Sequence, residues 1–140
     1  MNILTFLTPK SDVEYLYDDF SLRQALEKME IHHYQAIPII NRSGNYVGTI
    51  TEGDLLWFIK NQKKFDLPSA ETIPIRRINH YKDYKAVSIL APLDDIVNLA
   101  MHQNFIPVVD DQQIFIGIIR RQSVISYFKD KYVEKRHIHE

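Results

Sequence analysis

The chain contains one short unit twice, and this limits its possible folds more than any other feature. Ile37-Pro38-Ile39-Ile40 returns 69 residues later as Ile106-Pro107-Val108-Val109. At the same shift Gly48 meets Gly117, Ile50 meets Ile119 and Lys60 meets Lys129. Ahead of each apolar run lies a helical stripe. Leu22, Ala25, Leu26 and Met29 are spaced i, i+3, i+4, i+7, and Leu93, Ile96, Val97 and Ala100 repeat that spacing at a shift of 71. The second copy is therefore two residues shorter between helix and strand. A helix, an I-P-h-h strand (h, apolar), a turn and an h-G-h-h strand recurring in one order mark a duplication.

Each copy reads β-α-β-β-α. In the first, Val13–Tyr17 is a short strand, and Ser21 with Gln24 forms a capping box for the helix that follows. That helix is expected to end near His32-His33. Ala36–Ile40 and Tyr46–Ile50 are strands joined by the Asn41–Asn45 turn, and Glu52–Asn61 is the closing helix. In the second, Lys85–Leu90 leads, and Arg121–Tyr132 closes with Val124, Ile125, Phe128 and Tyr132 on one side. The expected layout is a first repeat over 1–62, a connector over 63–78, a second repeat over 79–132 and a polar, mobile tail over 133–140.

The chemistry concentrates at Val47-Gly48-Thr49-Ile50-Thr51-Glu52-Gly53-Asp54. A strand runs into this stretch and a helix runs out of it. The first backbone N–H groups of a helix have no partner inside it, and with the helix dipole they attract anions. Thr51 is placed to cap the helix and to offer a hydroxyl to a phosphate. Asp54, one turn on, is placed to accept both hydroxyls of a ribose. The plainer reading is a Thr-x-x-Asp capping box with no ligand.

The duplicated unit resembles a tandem pair of CBS domains, the arrangement called a Bateman module. Ala36–Ile40, Val47–Asp54 and their echoes at Ile106–Val109 and Ile116–Ser123 carry the likeness, which spans about residues 8–132. The resemblance implies an α/β (α+β) fold of two β-α-β-β-α repeats packed about a pseudo-twofold axis, with sheets together and helices outside. It implies two clefts, each built from the G-h-x-T-x-x-D turn of one unit and the leading strand of the other. Adenine nucleotides or related adenosyl compounds are the implied regulatory ligands. It also implies a homodimer formed through the helices and an unidentified effector protein that reads the ligand.

On this resemblance, cleft one takes Gly48, Thr51 and Asp54, faced by Ala86, Val87, Ser88 and Ile89, with Asn104, Phe105, Ile106 and Pro107 as its floor. Val87, Ile89 and Ile106 are expected to sandwich the adenine. Cleft two takes Arg120, Arg121 and Ser123, faced by Lys10, Ser11, Asp12 and Val13 with Tyr34, Gln35, Ala36, Ile37 and Pro38. There Arg120 replaces Thr51 and Ser123 replaces Asp54, so guanidinium forks suited to phosphate replace the ribose carboxylate. Stand-alone Bateman proteins that sense cyclic di-AMP are similar in carrying paired arginines in this turn and a tyrosine before A-I-P. Here Gln122 occupies the second arginine's place. A cyclic di-AMP receptor acting through cleft two is therefore one alternative, and a ligand-independent interaction module is another.

Composition narrows the classes. A formal net charge of −1 argues against a general nucleic-acid binder. There are no cysteines, hence no disulfide or thiolate metal site. The six histidines form no His-x-x-x-His pair backed by a carboxylate. No apolar run approaches the ~20 residues of a membrane span, and the start lacks a signal-peptide pattern. No nucleophile elbow or glycine-rich lysine loop is present. The expectation is a non-enzymatic, cytoplasmic protein that needs no cofactor. Lys63-Lys64 and Arg76-Arg77 read as solvated connector charges.

Overall fold

Alternating apolar strands followed by amphipathic helices fold in the computed structural model as two sheets with helices on their outer faces, described over residues 2–79 and 84–139. Unit one comprises β2 (Leu16–Tyr17), α1 (Leu22–His32), β3 (Ala36–Ile40), β4 (Tyr46–Thr51) and α2 (Glu52–Lys60). Unit two repeats it as β5 (Val87–Ser88), α4 (Leu93–Ala100), β6 (Phe105–Val109), β7 (Phe115–Arg120) and α5 (Arg121–His139). Two further elements, β1 (Leu7–Pro9) and α3 (Leu67–Ala70), lie before and between the units.

Local chemistry sets the boundaries. Ser21 and Gln24 form the expected capping box at the start of α1, and His33 ends that helix in the left-handed conformation at φ 52°. The leading strands are shorter than expected, because only Leu16–Tyr17 and Val87–Ser88 pair with β3 and β6. The hairpins match in register: Ile37 faces Ile50 as Ile106 faces Ile119, and both carry a bulge one residue before the strand's end.

The N-terminal stretch departs from the expectation of three strands per sheet. β1 pairs antiparallel with β7, so the first residues of the chain complete a four-stranded sheet in unit two. Gly117 permits this. Its φ is +154°, and a Cβ there would sit 2.2 Å from the Thr8 carbonyl oxygen. Ile3 joins the unit-two core with Ile96, Ile106 and Ile119. In return the connector serves unit one, where Ala70, Ile75 and Ile78 pack beside Leu16, Ile37 and Ile50. Each core is thus closed by chain that precedes the other unit. The tail also departs from expectation, since α5 continues to His139 rather than stopping at Tyr132. The expected start of repeat two at 79 abuts residues 80–83, and His80 falls outside the described residues.

A third apolar cluster joins the units through Val13, Ile40, Tyr84, Phe105, Phe115 and Ile118. Its partners across the pseudo-twofold are equivalent positions. Tyr46 stacks on Phe115 with centroids 6.3 Å apart, Asn45 bridges to Ile114, and Asn104 Nδ2 donates to Gln35 Oε1 at 3.4 Å. All three pairs are separated by 69, the repeat shift itself. The axis therefore runs through the contacts that duplication would place there.

Candidate functional site

The strand–helix junction of unit one is organised by Thr51 and Asp54. The Thr51 hydroxyl accepts from the Asp54 backbone N–H at 3.1 Å, and Asp54 Oδ2 accepts from the Thr51 N–H at 2.9 Å. This reciprocal box fixes both side chains at the N-terminus of α2, where an anionic group is favoured. Asp54 is 2% exposed, so its carboxylate is held rather than free to swing. The plainer capping-box reading is therefore realised. It does not exclude a ligand, because a carboxylate accepts several donors at once.

Two cavities border this junction. One, of about 550 Å³, is lined by Asp54, Trp57, Phe58, Gln62, Arg77 and Asn79. The other, of about 360 Å³, lies between the units, with Thr51, Glu52 and Gly53 on one side and Tyr84, His102, Asn104 and Arg121 on the other. Trp57 lines both, so its indole and the Thr51–Asp54 turn stand between them. The first offers a carboxylate, a guanidinium, carboxamides and an aromatic face. The second adds the N-terminal turn of α2 and a second guanidinium.

Of the expected cleft-one residues, Thr51 and Asp54 reach these cavities. Gly48 sits within β4 opposite Ile39. Val87 and Ile106 do not sandwich an open cleft, because both are buried in the unit-two core, with Ile89 packed against it. Ser88 is exposed and its hydroxyl accepts from the Leu90 N–H. Ala86 is half-buried, and Pro107 is buried within β6. The wall facing unit one is Tyr84 instead. Its carbonyl accepts from the Tyr46 hydroxyl at 2.9 Å, its own hydroxyl accepts from the Asn104 N–H at 3.3 Å, and its ring packs on Phe105. Buried Gln103 anchors the same segment by bonding Lys85 N and O and Phe105 O.

Cleft two is assembled differently from the expectation. Arg121 Nε donates to Ala100 O at 2.8 Å and Gln103 O at 3.0 Å, so this guanidinium closes the C-terminal end of α4 and borders the axial cavity. Tyr34 stacks on His32 at 5.1 Å and lines a groove between α1 and α2. Ile37 is buried in the unit-one core and Pro38 is buried beside it; Val13 and Ala36 belong to the cluster joining the units. Lys10 lies over the Tyr15 ring at 5.2 Å, in a turn with Ser11 that packs beside β7. Arg120 is exposed at the end of β7, and Ser123 is half-buried in the first turn of α5.

Sequence reasoning missed Trp57, Arg77, Asn79 and Tyr84 as lining residues. Arg77 carried a signal, the basic pair Arg76-Arg77 just after Pro74, but read as solvated. Among the described residues no group of three or more His, Cys, Asp or Glu is placed to hold a metal ion. No helix among them is long and apolar enough to cross a membrane.

Comparison with known proteins agrees with this architecture. The CBS domain model matches the chain twice, over residues 6–61 and 75–130, so the chain belongs to the CBS-domain family as a tandem pair. Uncharacterized protein MJ1225 of Methanocaldococcus jannaschii is 26% identical over 131 residues; the match covers 85% of this chain and 46% of that protein. This chain thus spans about half the length of that curated relative. A CbpB solved in complex with c-di-AMP superposes with TM-score 0.84 at 21% identity, covering 98% of this chain and 90% of that one. CBSX2 solved in complex with AMP gives TM-score 0.74 at 21% identity over 94% and 98% of the chains. At these identities the two structures establish the fold.

Proposed function

We propose that this protein is a regulatory adenine-nucleotide sensor whose ligand binds at the unit-one junction. The observation that carries the reading is the Thr51–Asp54 box, held rigid between the two cavities. In this reading Asp54 takes the ribose diol through charge-assisted bonds, while Thr51 and the α2 N-terminus meet phosphate oxygens. Trp57 supplies an aromatic face, and Arg77 supplies positive charge. The AMP and c-di-AMP carried by the two structural relatives support this ligand class.

The module is non-enzymatic in this reading and needs no cofactor. It works as a homodimer in the cytoplasm, a reducing compartment that suits a cysteine-free chain. A ligand biases two states only through its different affinity for them, so an effector protein must read the change. Cyclic di-AMP bound through cleft two has weaker support, because the Arg121 Nε is committed to the Ala100 and Gln103 carbonyls.

The test is calorimetric titration and thermal unfolding with AMP, ADP, ATP, S-adenosylmethionine and cyclic di-AMP. Saturation at 100 times Kd is expected to stabilise the fold by about 2.7 kcal/mol. No response to any of them at millimolar concentration rejects the reading.

A further inference from the structure

The outer helical faces of the two units carry matching grooves. In unit one, α1 and α2 flank a groove of about 490 Å³ whose apolar lining is Leu26, Met29, Leu55, Leu56 and Ile59. In unit two, α4 and α5 flank one of about 580 Å³ with Val97, Ala100, Val124, Ile125 and Phe128. These are the same five positions under the repeat shifts of 71 and 69. Leu56 is 60% exposed and Ile125 58%. Large exposed apolar side chains grouped on one face mark a contact surface.

The charges bordering the two grooves are not the same. Groove one is bordered by the carboxylates of Glu30 and Glu52 and by the imidazole of His33, whose equivalent in unit two under the helix shift of 71 is Asn104. The equivalents of the two glutamates in groove two are Met101 and Arg121, and Lys129 adds a second cation. Lys60, the equivalent of Lys129, lies over the Trp57 ring at 5.1 Å and does not line groove one. Among the charges further out, Arg23 pairs with Glu27 and Lys131 with Glu134. One groove therefore carries two carboxylates and the other a guanidinium and an ammonium. Glu52 and Arg121 also border the axial cavity, which places this charge difference near the centre of the helical face.

We propose that groove one of one copy seats on groove two of a second copy, giving a head-to-tail twofold dimer. Glu30 and Glu52 of each protomer then face Arg121 and Lys129 of the other. The interface is closed and isologous, and it covers both grooves of both chains. The head-to-head alternative would set Glu30 and Glu52 against their own copies and Arg121 and Lys129 against theirs, and such like-charge contacts select against a mode of association. This inference rests on the homodimer reading above and adds the orientation.

The absence of cysteine makes the test direct. Leu56→Cys and Ile125→Cys are made separately in the full chain, and each is treated with a short bis-maleimide, alone and after co-expression with the other. Sedimentation of the unmodified chain is run in parallel. The expected result is a dimer by sedimentation, little cross-linking of either variant alone, and efficient cross-linking of the mixture. A dimer in which Leu56→Cys links to itself overturns the orientation while leaving the homodimer reading intact. A dimer with no cross-link in any sample also overturns it, because the grooves then do not face each other. A monomer throughout overturns both. As a second readout, Glu30→Lys with Glu52→Lys is expected to raise the dimer Kd about tenfold or more, and an unchanged Kd contradicts the charge argument.

Discussion

The two strand–helix junctions have the same backbone and different chemistry. In unit one Thr51 and Asp54 cap each other, and both remain beside cavities. In unit two the equivalent residues are Arg120 and Ser123, and the following Arg121 reaches to the end of α4. One junction spends its polar groups holding a carboxylate at a helix N-terminus. The other spends its cation on helix C-terminal carbonyls, where positive charge is favoured. Duplication therefore preserved the frame, Ile37 with Ile50 and Ile106 with Ile119, and freed the turn residues to diverge. Under the proposed function, unit two is the structural half and unit one the ligand half.

That division can be challenged by substitution, and the largest effect is expected in unit two. Gly117→Ala places a Cβ against the Thr8 carbonyl at a φ that side chains rarely adopt, which forces β1 off β7. A loss of about 3–5 kcal/mol in urea unfolding is expected. Gly48→Ala is expected to cost less, since Gly48 is not among the positive-φ glycines. Equal losses would mean that β1 is not what distinguishes the units.

Arg121→Ala removes two charge-assisted bonds and leaves the Ala100 and Gln103 carbonyls without that donor. Chemical denaturation is expected to show a loss of about 1.5–3 kcal/mol. No loss would return Arg121 to the ligand side of the comparison. Thr51→Ala removes one cap of a short helix and is expected to cost about 1 kcal/mol in the same assay.

The smallest effect is on pH dependence. The Lys28 ammonium, bonded to Glu14, holds the Glu14 carboxyl below its ordinary value of 4.5, with His32 a minor contributor. A lowered folded value stabilises the fold above the unfolded pKa, and the contribution disappears as pH falls through the folded value. The unit-two equivalents are Lys85 and Leu99, so this dependence belongs to unit one. Glu14→Gln is expected to flatten the stability profile slightly below about pH 5 and to lower stability slightly at pH 7, where the parent carries the full contribution. A profile identical to the parent's below pH 5 would remove Glu14 from the account.

The sequence made the repeated elements legible because hydrophobic period and capping chemistry are local signals. The Ser21–Gln24 box, the Ala36–Ile40 strand and α4 from Leu93 to Ala100 follow directly from them. The exchange of flanking chain did not show. Ile3 and Ile75 lie in short 3-10 turns, with no periodicity to reveal which core receives them. The site was half legible. Thr51 and Asp54 are marked by the motif, whereas Arg77 and Tyr84 reach it through tertiary packing. Val87 and Ile106 misled for a related reason. An apolar residue on a strand with both faces covered belongs equally well to a core or to a cleft, and here the core takes both.

The central claim is that Asp54 binds ligand as well as capping a helix, and Asp54→Asn separates the two roles. The amide oxygen still accepts from the Thr51 N–H, so the fold is retained, but the charge that strengthens bonds to a diol is lost. Calorimetric titration of parent and variant with AMP, alongside their ligand-free unfolding, decides the matter. The account expects near-equal ligand-free stability and at least a ~10-fold weaker Kd in the variant. Equal affinity for AMP in the two proteins would contradict it and reduce Asp54 to a capping residue.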